Sequence, residues 1–308
     1  MNIAYLISAH NDPQQLKRLV EALGNNAWCF IHIDRKSDIQ PFIEALKCIE
    51  GDRIQFIKER TDVRWGTILE VEYQMALLKA ALDYSQNMRR DTEFHGFDRY
   101  ITMSGLDYPI KPSRLAFDDT FEPSQEYLMG IDLADAAVAC KDTKIYRHAR
   151  PFFNIPHIGN TANQRLSIIC RELLKILRIH KPLILPNGWH LYKGASWWAI
   201  TEPLARYIYD TYVADSSIQE YFRDSFGQAE TLIQTIVFNS PYAKRCMKVT
   251  GAYPGLYALT PLTYIDYNPV IKILTEDDYP TLLESGKLFC RKVVSGKSDK
   301  LVEKLAAL

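Results

Sequence analysis

Through the first 110 residues, short continuous apolar runs alternate with stretches in which apolar residues recur every three or four positions. Residues 3–8 form one such run, followed by Asn11, Asp12 and Pro13. That order predicts a buried strand and then a helix start, with Asp12 as N-cap and Pro13 in the first turn. Leu16, Leu19, Val20 and Leu23 follow at helical spacing, and Gly24 suits the stop. Ala27–Ile33 reads as a second buried strand, residues 39–49 as a helix and residues 54–58 as a third strand. A long helix is expected over 68–82, and a fourth strand over 100–104 that ends at Gly105-Leu106-Asp107. Repeated β-α-β predicts an α/β fold: a Rossmann-like, mainly parallel sheet with helices on both faces. Such sheets hold ligands beyond the carboxyl ends of their strands. Here those ends are residues 8–11, 34–36 and 104–107, all polar.

The second half is less regular. Residues 131–160, rich in Asp, Arg, Pro and Asn, read as a long functional loop or several short ones. Helices are expected over 163–179, 204–212 and 229–238, and a strand over 262–266. Thr275 and Asp278 form a capping box with Asp in place of Glu, and a last helix follows Ser298. No repeat or linker interrupts the chain, so one domain is expected.

Composition narrows the class. The 308 residues are 47% apolar, and 37 basic residues balance 37 acidic ones. That balance argues against a dedicated nucleic-acid binder. The longest run without a charge, residues 249–265, contains two prolines and two glycines and does not read as a membrane span. The N-terminus enters an apolar strand with no basic region or cleavage site, and the six cysteines include no C-x-x-C pair. The expectation is a cytoplasmic protein with reduced thiols. Dinucleotide, P-loop, nucleophile-elbow and zinc-protease motifs are absent, as is any Asp-x-Asp pair.

Five segments in order carry a resemblance: FIHIDRK (30–36), RWG (64–66), TMSGLDYPIK (102–111), KGASWWAI (193–200) with FGQAETLIQTI (226–236), and LFCRK near the end. Together the chain resembles the core-2/I-branching β-1,6-N-acetylglucosaminyltransferases and the related peptide xylosyltransferases, in a bacterial-type member. The resemblance implies the GT-A nucleotide-diphosphosugar transferase fold, with residues 1–130 as the nucleotide-binding half and 131–308 as the acceptor and catalytic half. It also implies inverting transfer from a UDP-sugar without a metal or other cofactor. The donor expected is UDP-N-acetylglucosamine, with UDP-xylose, or a binding protein that has lost catalysis, as alternatives. The partner is a glycan or lipid-linked glycan acceptor, with no nucleic acid.

Inverting transfer needs a base for the acceptor hydroxyl. By resemblance it falls on Glu230, at the start of the predicted helix 229–238, where the dipole would stabilise a carboxylate by roughly 0.3–1 kcal/mol. Taken alone, Glu230 is equally an ordinary first-turn glutamate. The leaving diphosphate needs cations. The resemblance gives Lys292, with Arg291 beside it, whereas a basic pair alone reads as a solvated face. A second family cation, an arginine expected in the strand at 262–266, is missing, and Lys193, Arg245, Lys248 or Arg291 could substitute.

His10, Asp34, Arg64, Trp65 and Gly66 are expected around the nucleotide and Asp107 near the donor sugar. Asp34 could be a strand-end cap, Trp65 core, and Asp107 a turn residue bonding its own backbone. Trp189, His190, Lys193, Trp197 and Trp198 are the acceptor candidates. Adjacent strand residues face opposite ways, so at most one of Trp197 and Trp198 faces the cleft. The basic residues of helix 163–179 (Arg165, Arg171, Lys175, Arg178) suggest peripheral contact with the inner face of a membrane, or else a plain solvated face.

Overall fold

A computed structural model describes residues 1–24, 27–49, 53–91, 93–111, 121–135 and 160–308. The expected loop at 131–160 lies almost wholly outside them. The central sheet runs in the order β3 (Ile54–Phe56), β2 (Ala27–Ile33), β1 (Ile3–Ala9), β4 (Arg99–Ser104), β8 (Ala199–Ile200). The first four are parallel, and β8 closes the edge antiparallel to β4, pairing Ala199 with Ile101. This is the mainly parallel α/β sheet that the alternation predicts.

Its side chains divide by the period of two. Ala4, Leu6, Trp28, Phe30 and Tyr100 enter one core with helix α3 (Leu69–Asp91). Tyr5, Ile7, Cys29, Ile31, Ile101 and Met103 enter the other with helix α1 (Pro13–Leu23) and helix α2 (Gln40–Leu46). Burial on both faces explains why these strands read as continuous apolar runs. Two small sheets flank it: β10 (Thr263–Ile265), β11 (Phe289–Arg291) and β5 (Asp107–Pro109), then β7 (Tyr192–Lys193), β6 (Met129–Asp132) and β9 (Met247–Val249).

Asp12 caps α1 in the left-handed region, accepting from the Gln15 N–H at 3.0 Å, and also accepts from the Ser295 N–H at 2.8 Å. The N-cap thereby ties down the segment leading to the C-terminal helix (Asp299–Ala306), which does start after Ser298. The Thr275–Asp278 capping box is present.

The structure departs from the pattern in two places that matter. Helix α3 runs nine residues past the expected end at 82, because its last turns pack polar groups: Ser85 Oγ and Arg89 both donate to the buried Glu202 carboxylate. The predicted helix 229–238 is broken. Residues Gln228–Glu230 form a 3-10 turn, and the α-helix (Leu232–Phe238) starts only after Thr231. Glu230 therefore stands outside the first helical turn. Its N–H bonds three residues back, to Gly227 O at 3.0 Å.

At the start of β4, Arg99 (2% exposed) donates to Gln125 O and Glu122 O and lies 3.8 Å from the fully buried Glu126. Glu126 also accepts from Thr201 N–H and Oγ1 and pairs with Arg245 at 3.1 Å. Removing one partner of a buried pair strands the other charge. Glu126→Ala is expected to lose ~3–5 kcal/mol in urea denaturation; a loss below ~1 kcal/mol would mean that water reaches Arg99.

Candidate active site

Strand β1 has β2 on one side and β4 on the other, so the strand order reverses beside it. A crevice opens at such a switch point beyond the carboxyl ends. A cavity of about 380 Å³ lies there. Ser8, Ala9 and His10 from the end of β1, His32 and Asp34 from β2, and Met103 and Ser104 from β4 form its floor. Trp65, Glu70, Tyr73, Trp197, Glu230, Tyr257 and Arg291 are among the residues of its walls.

Of the sequence candidates, His10, Asp34, Trp65, Trp197, Glu230 and Arg291 therefore meet in one cavity. Asp34 accepts from the Lys36 N–H at 2.9 Å and from Lys36 Nζ at 3.0 Å, so its carboxylate is braced from within its own turn. Desolvation lowers the His10 pKa below the usual imidazole value. Asp34 pulls it up, while Arg291, Lys292 and Lys36 push it down. Three cations thus act together at the end of β1. Trp65 is 56% exposed and packs edge-on against Phe226, ring centres 5.0 Å apart.

Arg291 is held from behind. Its Nη1 donates to Asp107 at 3.0 Å, and its guanidinium lies over the Trp197 ring at 5.2 Å. Asp107 is fully buried and does not line the cavity. It accepts from the Ser104 N–H as its turn suggests, and also from Trp197 Nε1 at 2.9 Å. Asp107 therefore fixes two wall residues instead of standing beside them. Lys292 lies next to the cavity, its carbonyl accepting from the Leu274 N–H at 2.9 Å.

Among the substitutes for the missing cation, Arg291 alone lines this cavity. Lys193 is buried and pairs with Glu230. Arg245 is engaged with Ser124 O and Glu126, and Lys248 bonds Tyr192.

The aromatic acceptor candidates separate. Trp197 faces the cavity and Trp198, 2% exposed, is core; the residues precede β8 instead of lying in it, but they do face opposite ways. Trp189 packs against the apolar core, and His190 Nδ1 bonds Asp132 at 2.7 Å, neither lining the cavity. Arg64 pairs with Asp62 at 3.5 Å. Gly66, at φ +78°, is buried and serves the site through its backbone.

Glu70, His32, Tyr73 and Tyr257 are not among the site residues that the sequence singles out. His32 stacks on Tyr73 at 5.2 Å and accepts from the Thr61 N–H through Nε2 at 2.9 Å; burial pushes its pKa down to about 4. Glu70 Oε2 accepts from the Gly66 N–H at 2.7 Å. Burial pushes its pKa up to about 7, and the Glu230 charge adds to the rise against that hydrogen bond. A helix-start glutamate four residues after a glycine was the available signal. Among the described residues, no group of three or more His, Cys, Asp or Glu is placed to hold a metal ion.

A mainly parallel sheet with a cavity at its switch point has the arrangement in which α/β proteins hold ligands beyond their strand ends. The sequence profile of the family described as Core-2/I-Branching enzyme matches residues 3–269, and the chain belongs to that family, a family of glycosyltransferases. A search of the curated proteins found no match. Two solved structures are similar in part. One, titled as the apo structure of the bifunctional glycosyltransferase WbbM, has 10% identity and a TM-score of 0.39, with 97% of this chain and 46% of that one covered. This chain thus spans about half the length of that protein. The other, core-mannan synthase A from Aspergillus fumigatus in its Mn/GDP form, has 12% identity and a TM-score of 0.35, with 80% and 72% covered.

The Glu70 shift has a stability consequence. Its folded pKa of about 7 lies above the ordinary 4.5. Between those values the folded protein binds more protons than the unfolded chain, so stability falls as pH rises through this window, by up to about 3 kcal/mol. Glu70→Gln is expected to match the wild type near pH 4.5 and to exceed it near pH 8, measured by chemical denaturation at both. An equal difference at both pH values would show that Glu70 titrates normally.

Proposed function

We propose that the protein is an inverting, metal-independent glycosyltransferase that uses a UDP-sugar, UDP-N-acetylglucosamine before UDP-xylose, to extend or branch a glycan. The observation that carries this reading is one cavity with a carboxylate on one wall, Glu230, and a fixed guanidinium, Arg291, among cations at the strand ends. Glu230 takes the acceptor hydroxyl proton as the oxygen attacks the anomeric carbon. The bond to the diphosphate breaks on the opposite face, and UDP leaves with the electron pair. Arg291 and Lys292 offset the charge that develops on the diphosphate, a task positioned cations can perform without reorganising. Arg291 takes the place of the cation missing from β10. Lys193, buried behind Glu230, holds one of its oxygens.

Calorimetry with UDP, UDP-N-acetylglucosamine, UDP-xylose and UDP-glucose, each with and without EDTA, tests the donor. EDTA-insensitive binding of UDP and one sugar form is expected, weakened ~10-fold or more by Arg291→Met. Glu230→Gln is expected to keep UDP affinity and lose ~10²-fold or more in turnover. No binding of any uridine nucleotide, or Mn²⁺-dependent transfer that EDTA abolishes, would defeat the reading.

A second observation concerns the place of transfer. On helix α4 (Asn160–Ile176), Leu166, Ile169, Leu173 and Ile176 share one outward face, joined by Leu177 beyond its end, and all are exposed. Arg165, Lys175 and Arg178 are exposed as well. No described helix is long and apolar enough to cross a membrane. An apolar face edged by basic residues suits the surface of an anionic membrane that carries a lipid-linked acceptor. The protein is expected to sediment with phosphatidylglycerol-containing vesicles more than with pure phosphatidylcholine ones, and Leu173→Asp to abolish this. Sedimentation with neither vesicle type would remove the membrane from the reading.

A further inference from the structure

Resting on that transferase reading, we propose that Glu70 is a second substrate-contacting carboxyl, which in its acid form donates a hydrogen bond that orients the acceptor sugar beside Glu230.

The geometry comes from one peptide unit. The Gly66 N–H donates to Glu70 Oε2 at 2.7 Å, while the Gly66 carbonyl accepts from the Gly227 N–H at 3.1 Å. Gly227 opens the 3-10 turn that ends in Glu230. A Cβ at position 66 would stand 2.7 Å from Phe226 Cε2, so the close approach of the two segments requires glycine. Both carboxyls are thus hung from one frame, and both line the cavity.

Their surroundings differ. Glu230 has the buried Lys193 as its partner. Among the described residues no cation pairs with Glu70. It is faced by Glu230 from the 3-10 turn, with Lys193 behind, and by Tyr73 on its own helix. His32 of β2 stacks on Tyr73, and Arg291 of β11 acts on Tyr73 and Tyr257 beyond. A carboxyl with one oxygen occupied by a backbone N–H, no cation and a carboxylate nearby retains its proton on the other oxygen. That O–H is a donor within the cavity. Sugar hydroxyl and ring oxygens accept such a bond, and orientation of the acceptor is what a base at Glu230 requires. Once ionised, Glu70 only accepts, and it adds a second negative charge beside Glu230.

Two measurements on the whole protein test this. In carbon-13 NMR of protein labelled at glutamate carboxyls, the resonance lost in Glu70→Gln is expected to titrate far above the other glutamates. Titration in the ordinary carboxylate range would overturn the proposal. The second measurement follows sugar transfer to a p-nitrophenyl glycoside and hydrolysis of the donor by water across about pH 5.5–8.5. Wild-type transfer is expected to fall ~10-fold on the alkaline side while hydrolysis changes less than ~2-fold, because water needs no orienting bond. Glu70→Gln, which keeps a donor at every pH, is expected to remain within ~3-fold of the best wild-type rate and to lose the alkaline fall. Glu70→Ala is expected to raise the acceptor KM ~10-fold with UDP affinity unchanged. A Glu70→Gln profile identical to the wild type, or a Gln variant as impaired as Ala, would overturn the role. Absence of UDP binding in the wild type would defeat the transferase reading and the acceptor role with it, while the NMR titration would still decide the proton.

Discussion

The cationic wall of the cavity depends on one buried carboxylate, that of Asp107. With no exposed surface, it accepts from the Ser104 N–H, from Trp197 Nε1 and from Arg291 Nη1. Burial raises its pKa, and the positive charge of Arg291 opposes that rise more strongly than any other neighbour. A pair of this kind adds little net stability, because the cost of desolvating both charges offsets most of their attraction. Its effect is positional. Asp107 and Arg291 face one another in the antiparallel register of β5 and β11, and Trp197 arrives from the segment before β8. One side chain therefore brings together three parts of the chain separated by 90 residues and more in sequence. It also holds the guanidinium over an indole, 5.2 Å from the ring centre, in the wall of the cavity.

The sheet decides where that wall stands. Because β1 lies between β2 and β4, its carboxyl end opens into the crevice, and His10 follows directly from it. The turn after β4 carries Asp107 into a second small sheet, whose next strand is β11. A buried carboxylate at the start of β5 thus joins the strand ends of the main sheet to the C-terminal segment bearing Arg291 and Lys292. The other wall follows a similar rule. The turn with Glu230 is anchored through the Gly194 N–H, which donates to the Glu230 carbonyl at 2.8 Å beside Lys193. Backbone bonds place the carboxylate, and the ammonium then restrains its head.

What could be read from the sequence follows the range of the interactions. The strands and α1 were legible because burial on both faces leaves unbroken apolar runs, and because Asp12, Pro13 and Gly24 mark the helix ends locally. The break at Thr231 was not, because it consists of three-residue-back hydrogen bonds and leaves the apolar spacing of 229–238 unchanged. Glu230, Arg291 and Lys292 came from motif order, but their partners did not. Lys193 reads as an acceptor contact or a substitute cation, and only the fold, which brings β7 to the 3-10 turn, makes it the counterion of Glu230. The supposed aromatic platform failed similarly. Trp189, His190, Trp197 and Trp198 are close in sequence, but chain direction sends one to the cavity, one to the core, and the other two to neither wall.

Glu70 was illegible for a different reason. A glutamate at a helix start is ordinary in sequence, and its environment is set by residues 160 positions away. Two carboxyls near one another in a cavity cannot share the same electrostatic surroundings without mutual repulsion. Here they do not share them. One has a buried ammonium behind it, and the other has a single peptide N–H. Neighbouring carboxyls whose environments pull apart are suited to different proton roles, one to take a proton and one to hold it. The left-handed glycine that serves both ensures that the division is built into the backbone: its N–H faces one carboxyl, and its carbonyl supports the turn of the other.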